Sequence, residues 1–465
     1  MKSNKGNTQR RIRPAPALVS AVTNIVRLLD RYSYNDKVLY IAQECLMSKL
    51  LEIEWQSKRY KEKAKRLRIE ADKLPPGEKQ TIRSLKSKAI SFDENKERLK
   101  YEKWLLRYVG DGIAWHAYRH SRKHIRALSK KDPVNSLGKP EKFIYHRRLF
   151  RGVRHRGNNF LPVMHDITNC LRTGDLTVFE RGKRFKFHEL KIFGPAGKSS
   201  QQQSLREGRQ ALRLGRIRAY FETSQIRYLY PEYRRGKHVQ AKLKEKYHFD
   251  VISRIMKKAR TETFGCENPE EGLYYVAFDR LAKNEHEALR ELQSKFPKAF
   301  ESHFVRKLID PYHDRDASVL PVTAMRLHAD DILDILVGKI GVLTLINFEE
   351  IKGSCQRAGV PLEISVESGN TVVFVLKRRT QLLITPSLWE RILLEFLSVD
   401  SFRKLLTKMP GSNGLIEGRF SDLVIEPYDP LGLFETIRFR SSLWCAEVKI
   451  YLMDFRIQDK NISMR

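Results

Sequence analysis

The chain has 465 residues, an ordinary apolar fraction of 41%, a formal net charge of +33 and five widely separated cysteines. That length suits two or three domains, the lack of any run of about 18 apolar residues argues against a spanning helix, and the odd, scattered cysteines argue against a disulfide framework or zinc knuckle. So large an excess of cations calls for a polyanion. Nucleic acid is expected because each neutralised phosphate releases counterions, and a cytoplasmic setting with reduced thiols is expected with it. The charge is spread along the chain and not packed into one amphipathic helix, so a membrane surface is not the expected partner.

Residues 1–14 read as a flexible basic arm, and no apolar segment follows them as it would in a signal peptide. Residues 15–140 read as a basic helical region. The pattern is helical from Ala15 to Lys73, with Leu39, Ile41, Leu46, Leu50 and Leu51 at near-helical spacing. Its end, SKRYKEKAKRLRIEADK, reads as a solvated structural helix in which opposite charges three or four residues apart pair. LPPGE at 74–78 breaks it. A second helix is expected from Ser91, where SFDE offers a capping box with Glu94, on through Leu105, Val109, Trp115 and Tyr118. It carries Asp111 between two glycines. SKKDPVNSLGKPEK reads as a linker that closes this region.

Residues 141–280 read as strand–turn–strand, a polar helix, a further helix near Val239–Lys258, and a buried strand at 273–280. The first part contains GDLTVFERGKRFKFHELK, from Gly174 to Lys191. A turn centred on Arg181-Gly182 makes opposed residue numbers sum to 363 or 364. The second value sets Asp175 opposite Glu189; the first leaves it one position away. Directly opposed residues share a face, and Lys191, two residues beyond Glu189, emerges on that face too. His165, His188 and His313 are potential ligands or bases, but His188 falls on the other face of its strand and reads as structural. Two such carboxylates suit Mg²⁺, which keeps several waters and bridges to phosphate. The metal lowers the pKa of a bound water and polarises the phosphoryl oxygen, and Lys191 can orient that water or stabilise the developing charge.

With Asp175 at a strand start, Glu189 and Lys191 on the return strand and a basic helix after them, the segment resembles the catalytic core of the PD-(D/E)xK nuclease superfamily, the restriction-endonuclease-like fold. The resemblance spans residues 160–280. It departs from the motif at Gly174, where a proline commonly stands. It implies a mixed sheet flanked by helices, and Mg²⁺ or Mn²⁺ held by Asp175, Glu189 and the main-chain carbonyl of Leu190. It also implies a metal-holding acid from a preceding helix, Asp111 as the first choice and Asp166 as the alternative. In the RecB-like branch a glutamine on the following helix helps position the site, so Gln202 or Gln203 would serve, with Arg206 or Arg209 on phosphate. The activity implied is metal-dependent hydrolysis of DNA, by an endonuclease or exonuclease, in genome defence or DNA processing. A non-catalytic nucleic-acid-binding protein and an RNA-directed nuclease are the alternatives.

Residues 281–465 read as an α/β C-terminal domain without a catalytic motif, suited to packing, assembly or recognition. ADDILDILVGK and SLWERILLEFLS suggest helices, LEISVESGNTVVFVLKR a hairpin turning at Ser368-Gly369-Asn370, and AEVKIYLMDFRI a late strand. PYHDRD at 311–316 reads as a solvated loop. A protein partner or a second copy of the chain is left open. The whole is expected to be a multidomain α/β protein: a helical N-terminal region, a mixed-sheet nuclease core and an α/β C-terminal domain.

Overall fold

The computed structural model describes residues 14–31, 35–129, 140–155, 160–180, 184–192, 201–228, 245–302, 304–309, 319–360, 362–367, 370–377, 380–384, 386–408, 434–439 and 448–455. The helical N-terminal region comprises α1 (Pro16–Arg31), α2 (Asp36–Lys73), α3 (Lys79–Ala117), α4 (Arg122–Leu128) and α5 (Pro140–His155). Next come β1 (Phe160–Met164), β2 (Leu176–Glu180), β3 (Arg184–Ile192), α6 (Gln201–Thr223) and α7 (Phe249–Glu262). After these run β4 (Phe264–Glu270), β5 (Leu273–Asp279), α8 (Glu285–Lys295), β6 (Phe304–Leu308), α9 (Ala329–Leu336), β7 (Ile340–Asn347) and α10 (Phe348–Arg357). The last elements are β8 (Leu362–Glu367), β9 (Asn370–Lys377), β10 (Thr380–Ile384), α11 (Pro386–Glu395), α12 (Val399–Lys408), β11 (Phe434–Phe439) and β12 (Val448–Phe455). The architecture is mixed α/β and mostly helical.

Helix boundaries differ from the sequence reading in several places. The helix expected near Val239–Lys258 starts at Phe249, after the non-helical residues 245–248, and ends at Glu262. The long first helix is two helices, because Asn35 starts α2 by accepting the Val38 amide on its side chain at 3.0 Å. The helix expected to start at Ser91 starts at Lys79 instead. KQTIRSLKSKAIS contains neither glycine nor proline, so nothing stops the helix there. Ser91 is exposed in mid-helix, and its carbonyl accepts the Asn95 side-chain amide at 2.9 Å. The break at LPPGE stands where it was expected, between α2 and α3.

Beyond the body, α2 and α3 cover one another. From Lys58 to Lys73 the shielded residues are Tyr60, Ala64, Leu67 and Ala71; from Lys79 to Phe92 they are Ile82, Leu85, Ala89 and Phe92. The alternating spacing of four and three is the heptad seam of a coiled coil. Its turn at 74–78 makes it antiparallel, and it is stitched by the Tyr60–Phe92 ring contact and the Arg68–Asp93 ion pair. The charges of SKRYKEKAKRLRIEADK are therefore solvated, as expected.

Three sheets form among the described residues. The first has the order β1-β2-β3-β12-β11, and every pairing in it is antiparallel. The resemblance implied a mixed sheet. The connections from β1 to β2 and from β2 to β3 are too short for the crossover that parallel neighbours need. The second sheet, β4-β5-β7-β6, pairs Leu273 with Ile346, so it straddles residue 280 and joins the expected core to the C-terminal part of the chain. Its strand β5 is buried, as the apolar run predicts. The third is β10-β9-β8, in which Glu367 pairs with Asn370.

One hydrophobic core runs from Leu18 on α1 to Phe402 on α12, and a smaller cluster including Val276, Leu289 and Leu343 packs α8 on the other face of the second sheet. A buried ion cluster pins α4 to α11. Arg122 donates to Glu395 Oε1 at 2.5 Å, Arg391 Nε to Glu395 Oε2 at 3.0 Å, and the Leu320 amide to Oε1 at 2.8 Å.

Candidate active site

The register of β2 on β3 pairs Leu176 with His188, a sum of 364. Continued by one residue, it sets Asp175 across from position 189. On its other side Asp175 already extends the β1 ladder, because its carbonyl accepts the His165 amide at 2.9 Å. His165, Asp175 and Glu189 thus occupy one row across the sheet, and β12 adds Tyr451 opposite Glu189. Lys191, two residues beyond Glu189 on β3, lies on the same face by the alternation of the strand and is opposed by Lys449 on β12. Of β3 the backbone alone is described.

The chain reaches Asp175 through a loop held at every step. Gly174 takes φ +78°, a conformation that glycine adopts without strain. That φ excludes proline, whose φ is fixed near −65°. Upstream, Thr168 Oγ1 donates to the His165 carbonyl and accepts the Leu171 amide, at 2.9 and 3.0 Å. The Arg172 amide donates to the Leu128 carbonyl at 2.9 Å.

Asp111 is the chief anchor of that loop. It is buried in α3, and its Oδ1 accepts the amides of Asn169 and Cys170 at 2.6 and 2.7 Å. Its Oδ2 accepts Asn169 Nδ2 at 3.2 Å. Burial raises its carboxyl to about 6, with the Cys170 and Asn169 amides pulling the other way. The flanking glycines let α3 approach so closely. A Cβ on Gly110 would sit 2.0 Å from the Ile167 carbonyl oxygen, and one on Gly112 would sit 2.5 Å from Thr323 Oγ1. Asp166 lies in the short turn after β1, where its carbonyl accepts Nε of the buried Arg107 at 3.0 Å. Of the two candidate third acids, Asp111 is thus engaged with the loop amides and Asp166 is half-buried one residue beyond His165.

A buried polar chain underlies the same face. His165 Nδ1 is 2.8 Å from the Thr173 carbonyl and 3.2 Å from that of Gly174; its Nε2 is 2.7 Å from Thr177 Oγ1, which is 2.7 Å from the Tyr118 hydroxyl. A carbonyl can only accept, so the proton sits on Nδ1, Thr177 donates to Nε2, and Tyr118 donates to Thr177. Burial lowers His165 to about 4, which keeps the ring neutral. The sequence marks His165 as a potential ligand or base. Tyr118 and Thr177, which fix its tautomer, carry no sequence signal because they lie 59 residues apart.

Gln202, Gln203 and Arg206 fall in the first two turns of α6, and Arg209 is exposed one turn later. The far end of α6 is docked: Leu214, Ile217 and Tyr220 are buried, and Lys123 on α4 donates to the Phe221 carbonyl at 2.9 Å. Residues 193–200 and the PYHDRD segment, with His313, lie outside the described residues. Among the described residues no group of three or more His, Cys, Asp or Glu side chains is placed to hold a metal ion, and no helix is long and apolar enough to cross a membrane.

No protein-family model matches the chain, and neither does any curated protein or solved structure.

Proposed function

We propose that the chain is a metal-dependent nuclease that hydrolyses DNA phosphodiester bonds. The observation that carries this reading is the register sum of 364, which lines up positions 175 and 189 in one row with 191 on the same face. The donor chemistry fits Mg²⁺ or Mn²⁺: Asp175, just before β2, and Glu189 on β3 would supply carboxylate oxygens, and the carbonyl of Leu190, next to Glu189, would be a third. When bound, the ion would activate a water and polarise the phosphoryl group. Lys191 would hold that water in line and stabilise charge on the phosphate. Asp111 would act through the 169–170 loop, and His165 through its ladder bond to Asp175. The arginines of α6 would position phosphate.

The test is cleavage of single- and double-stranded DNA and RNA by the purified chain, with Mg²⁺, Mn²⁺ or EDTA. DNA cleavage that needs the metal and is lost in Asp175→Ala, Glu189→Gln and Lys191→Ala is expected. Cleavage that survives these changes would place the chemistry elsewhere. Cutting of RNA alone would make the chain an RNA nuclease, and binding without cleavage under every metal would make it a non-catalytic nucleic-acid-binding protein.

A further inference from the structure

The α2–α3 arm has a charged edge that no ion pair from the rest of the described residues engages. In an antiparallel coiled coil the residues that flank the seam on one side of each helix meet along one edge, and the Arg68–Asp93 pair marks that edge here. Lys61 on α2 and Lys86 on α3 share the heptad position of Arg68 and Asp93. Lys58, Lys65 and Arg83 lie just outside them. All five are exposed, and none enters an ion pair among the described residues; Lys58 sits 5.5 Å from the Trp55 ring centroid. Between Lys58 and Lys88 the edge positions hold one acid, Asp72, one heptad past Lys65. Glu62 is the only acid at any position between Lys58 and Arg68, and there is none between Lys79 and Lys88.

We propose that this edge is a docking surface for the phosphate backbone of duplex DNA. The seam consumes the apolar residues of the arm, leaving chiefly Ile69 and Ile90 exposed toward the tip. A membrane-bound helix would need a continuous apolar face, which the arm lacks. A regular row of cations along a helix instead suits a regular row of anions. From Lys58 to Arg68 the helix rises about 15 Å, a length along which duplex DNA carries roughly nine negative charges. The straight edge matches a duplex better than a folded single strand. The proposal stands apart from the cleavage reading, since it concerns binding alone.

The experiment is fluorescence anisotropy of a labelled duplex with the full chain, in EDTA, across a series of salt concentrations. The variants are Lys58→Gln/Lys61→Gln/Lys65→Gln and Arg83→Gln/Lys86→Gln, both confined to exposed positions outside the seam. Affinity is expected to fall at least tenfold for the triple variant. The slope of log affinity against log salt should drop by about 0.9 for each phosphate no longer neutralised. Melting temperatures should match the parent. An unchanged affinity and slope in both variants overturns the proposal. So does a loss confined to RNA, which would assign the edge to RNA. Failure of the cleavage test leaves this measurement intact, because no metal is present in it.

Discussion

The Cys170 amide donates to Asp111 Oδ1 at 2.7 Å, which ties α3 to the loop that delivers Asp175. Asp111→Ala would leave the amides of Asn169 and Cys170 without their acceptor in a buried place. A loss of about 2–4 kcal/mol in urea unfolding is expected. Asp111→Asn keeps an oxygen for both amides but turns an NH₂ toward Asn169 Nδ2, so it should cost less, about 1–2 kcal/mol. If the loop positions Asp175, Asp111→Asn will also slow cleavage at temperatures where it is fully folded.

Stability should fall on acidification. Burial lowers His165 to about 4, and burial lowers His116 and His124 to about 3, helped by His120 and Arg326 near the first and by Lys123 near the second. Below about pH 6.5 the unfolded chain takes up protons on these rings that the folded chain refuses, so stability drains away toward pH 4. Asp111 works in the other direction. Raised to about 6, it holds a proton in the folded state between about pH 4 and 6, so its contribution falls as pH rises through that window. Three histidines outweigh one aspartate, and thermal melting should show a net loss from about pH 7 to about pH 5. His165→Gln should flatten the curve by on the order of 1–3 kcal/mol.

Thr177 is the middle of the Tyr118–Thr177–His165 chain. Thr177→Val keeps its shape but strands both neighbours, at a cost of about 1–3 kcal/mol. Thr177→Ser keeps the hydroxyl and should recover most of that in the same denaturant titration.

Glycine-to-alanine changes should separate by site. In Gly110→Ala the new methyl would meet a backbone oxygen at 2.0 Å, so α3 and the turn after β1 would have to part. Loss of about 3 kcal/mol or more, or no soluble protein, is expected. Gly215→Ala on α6 meets nothing within 4 Å and should stabilise by about 0.5–1 kcal/mol. Melting temperatures of the two variants decide it.

Glu395 holds two buried guanidinium groups together. Glu395→Ala leaves Arg122 and Arg391 charged in the interior without their shared carboxylate, a cost of about 3–5 kcal/mol. The expected outcome in chemical denaturation is a midpoint far below that of Glu395→Gln, which still accepts one of the bonds.

Local patterns are readable in the sequence and distant partners are not. The break at LPPGE, the β8–β9 hairpin, the buried β5 and the β2–β3 hairpin all follow from turn residues and alternation within a short window. The sum of 364 is one of two values the turn allows, and the pairing of Leu176 with His188 selects it. The rest is set by residues far away. Asp111 reads as a free acid on a helix until the loop amides 58 and 59 residues later are in view. Nothing near β3 announces β12 as its neighbour, and nothing at residue 280 announces that the second sheet continues past it. The start of α3 misleads for a different reason. A capping signal at Ser91 competes with the uninterrupted run of helix formers before it, and the run wins.

The alanines of the α2–α3 seam bear on how the molecule opens. Ala64, Ala71 and Ala89 bring the helices close but bury little area, so the distal arm rests on a thin apolar seam. Its backbone amides should exchange with solvent far faster than those of α3 near Gly110, with protection fading from base to tip. The arm would then come apart and reform as its own cooperative unit while the body stays shut. A polyanion laid along its edge would be felt first as slowed exchange there, before any change in the rest of the chain.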